Sequence, residues 1–178
     1  VHNLSILKSL KLGIGDRITV YKANMIIPQI AENLTCSGNL KIPETCPVCG
    51  GATKINGLNG VETLYCTNPD CDAKKVKAFT LFVSRDALNI DGLSEATLEK
   101  FLGKGFLHRF ADLFHLDRHR EEILAMDGFG EKSYQNLMES IDRARTTTLA
   151  RVIYGLGILN IGLANAKMIC REYEDDLE

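Results

Sequence analysis

No part of this sequence approaches the run of about twenty apolar residues that a bilayer-spanning helix needs, so a transmembrane helix is excluded. The opening VHNLSILKSLKLGIGD also lacks a basic n-region followed by an apolar h-region, so it does not read as a secretory signal. A basic excess is missing too: 21 Lys and Arg stand against 23 Asp and Glu, a formal net charge of -2. No global positive field advertises a nucleic-acid partner, and any such binding must be local. The expectation is a soluble, intracellular, cytoplasmic chain with no membrane partner. At 178 residues and 45% hydrophobic content it can bury one real core, or two or three small ones.

What the chain does have is cysteine in a pattern. An intracellular setting disfavours a disulfide framework, so paired cysteines read as metal ligands or redox groups. The stretch CPVCGGATKINGLNGVETLYCTNPDC holds Cys46 and Cys49 in a C-x-x-C, with Pro47 inside it and Gly50 and Gly51 after it. Cys66 and Cys71 form a second pair, and 16 residues separate the two pairs. The interval can supply two short strands around a turn at Gly57 to Gly60. This is the layout of a zinc ribbon: two rigid corners bring four soft thiolates to one tetrahedral ion, and a site filled by protein is closed and structural. Reduced core thiols are the plainer alternative; a thioredoxin-like motif lacks its strand-then-helix context. Cys36 and Cys170 read as ordinary half-buried thiols. His2, His108, His115 and His119 read as surface or packing residues, with no cysteine beside them.

Before the ribbon, a Gly15-Asp16 turn leads into alternation through Ile18 and Val20, then an apolar run from Met25 to Ile30 interrupted by Pro28. This predicts strands, with the proline at an edge or a strand start. Residues 1–40 read as the later part of a small β-barrel whose beginning lies before Val1, since too few strands precede the cysteines to close a sheet.

After the ribbon the pattern turns helical. Lys74, Lys75 and Lys77 open it; such a cluster can touch a phosphate backbone, but a solvated face is the preferred reading. NIDGLSEATLEKFL, AMDGFGEKSYQNLM and ILNIGLANAKMICR each place an apolar residue, a small turn and an amphipathic helix, at a spacing of about thirty-five residues that marks a repeat of helix pairs. In the middle copy Gly128 and Gly130 flank Phe129 ahead of Glu131, Lys132 and Ser133. Two glycines allow a tight turn and bare amides at the positive end of a helix dipole, which hold a phosphate without sequence preference. This is the helix-hairpin-helix device, and it needs few basic residues. A single G-x-G before a helix is usually only a connection; three spaced copies are a stronger signal. The first copy has Gly92 but Ser94 at the second glycine position, and the third has Asn160 at the first while keeping Gly162. At least one of these two is expected to serve packing alone. The candidate phosphate contacts are Gly92, Gly128, Phe129, Gly130, Lys132, Ser133, Gly162 and Ala164.

The order of these parts carries a resemblance. A barrel end with His2, Asn3 and GDRITVYKANMIIPQI, a four-cysteine ribbon, FVSRDALNIDGL, then GFGEKSYQNL and YGLGILNIG resemble the bacterial NAD-dependent DNA ligase through nearly the whole chain. The resemblance implies an α+β, multi-domain fragment: the end of an OB-fold barrel (1–40), a zinc finger (41–76) and a helix-hairpin-helix domain (77–178). It implies zinc on the cysteines, NAD bound by a part of the parent outside this chain, and a monomer gripping nicked duplex DNA in replication and repair. The family often has Ala-Gly-Asp where this chain has Ala23, Asn24 and Met25. In the family a K-x-D-G lysine takes AMP from NAD. Here Asp91-Gly92 and Asp127-Gly128 have Asn89 and Ala125 at the lysine position, so no catalytic residue is assigned and the fragment alone is expected to be inactive. The alternative is a free-standing DNA-binding scaffold built from the same modules.

Overall fold

The computed structural model describes residues 3–58 and 60–173, so His2, Asn59 within the expected Gly57 to Gly60 turn, and the end of the acidic tail lie outside the described residues. The chain is α+β and divides into two compact units, Val1–Cys71 and Asp72–Glu178.

The first unit begins with a helix, α1 (Leu4–Ser9), that the sequence reading did not anticipate. Asn3 starts it: the extended backbone at this residue lets its side chain accept from the Ile6 amide at 2.9 Å. Two strands follow, β1 (Ile18–Ala23) and β2 (Ile27–Asn33), paired antiparallel from Ile18 opposite Asn33 to Ala23 opposite Ile27. Asn24, Met25 and Ile26 join them: Asn24 and Met25 have φ of 51° and 60°, a left-handed pair in a tight turn closed by the Ile26 amide donating to the Ala23 carbonyl at 3.2 Å. Pro28 sits opposite Lys22 in this two-stranded sheet. β3 (Thr53–Leu58) and β4 (Val61–Cys66) form the second hairpin, in register from Thr53 opposite Cys66 to Leu58 opposite Val61. Helix α1 lies on β4, where Ser5 Oγ accepts from the Glu62 amide at 2.8 Å and Lys8 pairs with the Glu62 carboxylate at 2.5 Å. At the end of β2 the buried Asn33 side chain donates to the Leu10 and Lys11 carbonyls and to Asp16, tying the hairpin to the turn before it.

The second unit is helical: α2 (Asp72–Val83), α3 (Glu95–Gly103), a 3-10 segment over Phe110–His119, α4 (Arg120–Leu124), α5 (Glu131–Ala144), α6 (Leu149–Gly155) and α7 (Leu163–Glu172). Neighbouring helices pack as α2 with α3, α4 with α5 and α6 with α7. Helix α5 shows why: Tyr134, Leu137, Ile141 and Ala144 recur every three or four residues and are its buried stripe. They join a core in which Leu98, Phe101, Leu107, Leu113, Leu116 and Ile123 are almost fully excluded from water. Each such side chain contributes roughly 1.5–3 kcal/mol of burial. Phe82 and Phe110 stack at 4.2 Å between ring centres inside this core. A smaller cluster of Ala150, Ala166 and Cys170 holds α6 to α7. The two outlying thiols are therefore not half-buried: Cys170 is in a core, whereas Cys36 is exposed at a backbone turn with φ of 54°. His119 is a packing residue, its ring stacked on Phe106 at 4.3 Å.

Candidate metal centre and helix-pair turns

The four cysteines converge because each corner is held by its own backbone. In the first corner the Cys46 amide donates to the Gly51 carbonyl at 2.7 Å and the Gly50 amide to the Cys46 carbonyl at 2.9 Å. Gly50 has φ of 68°, the left-handed step that turns the chain back toward Cys46. Gly51 keeps this corner uncrowded: a Cβ there would stand 3.0 Å from Asn68 Cβ and 3.3 Å from Cys49 Sγ, tight enough that its neighbours would have to give way. The hairpin β3–β4 carries the chain to the second corner, where Cys66 ends β4 and the Thr67 amide donates to the Ala52 carbonyl at 2.8 Å.

All four sulfurs lie within 4.8 Å of one another. Cys49 and Cys66 are 3.5 Å apart and Cys46 and Cys71 are 3.9 Å apart. A tetrahedron with metal–sulfur bonds of about 2.3 Å has edges of about 3.8 Å, so the donor set fits one zinc ion. Among the described residues this is the one cluster of metal-binding side chains. The thiols are not equivalent. The Gly51 amide, 3.4 Å from Cys49 Sγ, and then the Asn68 side chain hold Cys49 down at about 6. Backbone amides of Cys49 and Val48 lower Cys46, whereas burial pushes Cys66 up to about 11. With all four ligands from protein, such a site is structural and leaves no position for substrate.

The three helix-pair turns share one backbone course. Gly92, Gly128 and Asn160 have φ of 88°, 87° and 65°. Two residues later stand Ser94, Gly130 and Gly162, the extended N-caps of α3, α5 and α7. The left-handed residue needs glycine or a tolerant substitute, and asparagine is the side chain that tolerates it most readily. Asn160 therefore keeps the turn that its side chain had put in question. The second position is different: Gly130 has φ of -129°, which any residue adopts, and a Cβ there would meet nothing within 4 Å. A β-branched residue at Gly130 would not displace the turn, contrary to the expectation that both glycines are needed for it. Only Gly128 is required by the backbone.

Between these positions the apolar residue anchors each turn: Leu93 is buried, and Phe129 and Ile161 pack against the two cores. The Phe129 ring lies 5.8 Å from that of Phe101, and its amide donates to the Met126 carbonyl. Ser133 Oγ accepts from the Gly130 amide at 2.8 Å and donates to the Gly130 carbonyl at 2.9 Å, closing the start of α5 on itself. Lys132 is exposed beside it, and Gly162 and Ala164 are exposed at the start of α7. Sequence reasoning missed the hydroxyl of Ser140, which accepts from the Asp91 amide at 2.8 Å. No local signal marks it, because the two residues are far apart in the chain.

No protein-family model matches the chain. Curated relatives do. The chain is 61% identical over 176 residues to a protein named DNA ligase from Lachnoclostridium phytofermentans and 59% identical over 176 residues to one from Ruminiclostridium cellulolyticum. Each of these matches covers 99% of this chain and 27% of the relative. A DNA ligase from Acetivibrio thermocellus is 35% identical over 179 residues, covering 98% of the chain and 27% of the relative. The chain thus spans about a quarter of the length of the curated relatives it matches.

Proposed function

The chain corresponds over nearly its whole length to a segment of bacterial DNA ligases, and from that premise we propose that it is the part that grips nicked duplex DNA in an NAD-dependent enzyme. The observation that carries the reading is the repeated turn: a left-handed residue, an anchored apolar residue and an extended N-cap at Gly92–Ser94, Gly128–Gly130 and Asn160–Gly162. The amides of the first turn of an α-helix have no partner within the helix, and the dipole favours an anion there. A phosphate backbone met this way is held without reading bases, which suits a chain whose net charge is -2.

In this reading residues 77–178 are a helix-hairpin-helix domain, residues 41–76 a zinc finger, and residues 1–40 the end of an OB-like barrel. Val20 and Tyr21, on opposite faces of β1, and Met25 and Ile26, in the turn after it, are exposed apolar side chains that the rest of the barrel would cover. Zinc holds the ribbon; NAD is bound and cleaved by the remainder of the parent protein, which also supplies the lysine that accepts AMP. The chain works as a monomer on DNA in the cytoplasm, in replication and repair. The test is binding of the purified chain to nicked and intact duplexes of several sequences at stepped salt. We expect binding that is insensitive to sequence and falls steeply with salt. Failure to bind any duplex, or selection of one sequence over the others, would refute the reading.

A further inference from the structure

The turn that opens α3 makes contacts inside the protein, although Asp91, Gly92 and Ser94 are themselves exposed. The Asp91 amide donates to Ser140 Oγ at 2.8 Å, and Ser140 on α5 is only 1% exposed. Gly92 faces the same helix: a Cβ built on it would lie 3.7 Å from the Cβ and Cδ1 of Leu137. The Asp91 carboxylate lies 3.7 Å from the guanidinium of Arg143. Leu137, Ser140 and Arg143 recur every three residues and so form one stripe along α5. A second amide at this turn, that of Thr97, is taken by Ser94 Oγ at 3.2 Å. The other two turns are open. A Cβ at Gly128, Gly130 or Gly162 would meet nothing within 4 Å, and the side-chain hydrogen bonds there are local or exposed: Ser133 to Gly130, Asn165 to Asn160, and Arg120 of α4 to the Glu131 carboxylate at 2.5 Å.

Accepting the DNA-binding reading on which this rests, we propose that the first turn is an internal dock that makes no phosphate contact, and that Ser140 is the positioning residue of the domain. An apolar stripe alone lets packed helices slide by a turn. One buried hydroxyl facing one amide fixes the register, because any slip leaves a polar group unpaired. Gly130 lies ten residues before Ser140 on the same helix, about 15 Å along its axis. The bond at Ser140 thereby sets where the second turn stands relative to the first helix pair.

The experiment is amide hydrogen exchange on the chain with and without a duplex of mixed sequence, which needs no substitution. We expect protection on DNA binding across residues 130–133 and none across residues 92–97. Ser140→Ala should speed exchange of the Asp91 amide roughly fivefold to tenfold. It should also weaken duplex binding while leaving unchanged the slope of log affinity against log salt, since no phosphate contact is lost. Ser140→Thr, which keeps the hydroxyl, should restore both. Equal protection of residues 92–97, a shallower salt slope in Ser140→Ala, or unchanged Asp91 exchange in that variant would overturn the inference while leaving the DNA-binding reading intact. A parent chain that binds no duplex would overturn both.

Discussion

Asn33 uses both ends of one amide: Nδ2 donates to Leu10, Lys11 and Asp16, and Oδ1 accepts from the Thr35 amide at 3.2 Å. It is 6% exposed, so removing it strands carbonyls that water reaches poorly. Asn33→Leu should destabilise the first unit by about 1–3 kcal/mol, read as faster amide exchange in β1 and β2 with α5 unaffected. Asp112 is a second case. Its carboxylate accepts from the Arg109 and His108 amides, both at 2.8 Å, which holds it below its ordinary value of 3.8. A carboxyl whose folded pKa is depressed stabilises fully above the unfolded value, and that contribution is lost as pH falls through the folded pKa. The second unit should therefore lose stability on acidification below about pH 4, and Asp112→Asn should flatten that dependence while lowering stability at neutral pH. Unfolding midpoints of the helical signal measured across this range, for both proteins, check the sign.

At the scale of elements, the ribbon and the hairpins depend on different things. Among the described residues the strand pair β3–β4 places no side chain in either hydrophobic core cluster, and a structural zinc contributes about 10 kcal/mol or more to a domain of this kind. One zinc per chain is expected, and chelation should abolish amide protection in residues 46–71 while leaving α3 and α5 protected. Elemental analysis before and after chelation measures the first, and Cys66→Ser with full zinc content would contradict it. For the hairpins the decisive residue is Gly128, whose φ of 87° strains any β-branched replacement. Gly128→Val should cost about 1–3 kcal/mol and weaken duplex binding. Gly130→Val should leave the fold unchanged, so any loss of binding there reports a blocked approach. Circular dichroism and a binding isotherm on each variant separate the two effects.

Taken whole, the described residues hold a four-cysteine cluster that fits zinc and three helix-pair turns, and in the proposed role the nucleotide chemistry belongs to the remainder of the parent protein. Adenylation requires an amine nucleophile of depressed pKa beside a bound dinucleotide. Incubation with NAD labelled in its adenylate should leave no label on this chain by mass spectrometry. A stable adenylated lysine would contradict the proposed role. Adding the remainder of a related ligase should restore nick sealing, whereas that remainder alone should charge its own lysine and seal poorly, because sealing needs the DNA held against the active site.

Features fixed by neighbours in the chain were legible from the sequence alone. C-x-x-C followed by two glycines dictates a knuckle, alternation through Ile18 and Val20 dictates a strand, and Ser94 or Gly130 before a periodic apolar run dictates a helix start, because each follows from contacts within a few residues. Helix α1 escaped that reading, although Asn3 was a cap in plain view, since six residues carry little periodicity. Tertiary structure alone decided the rest. That Asn160 could stand in for glycine depended on the backbone course, and that Cys36 is exposed while Cys170 is buried depended on what packs over each. The Asp91–Ser140 bond joins residues 49 apart in sequence, and Asn33 gathers groups up to 23 residues away. Such long-range pairings leave no local periodicity, so only the folded chain brings them together.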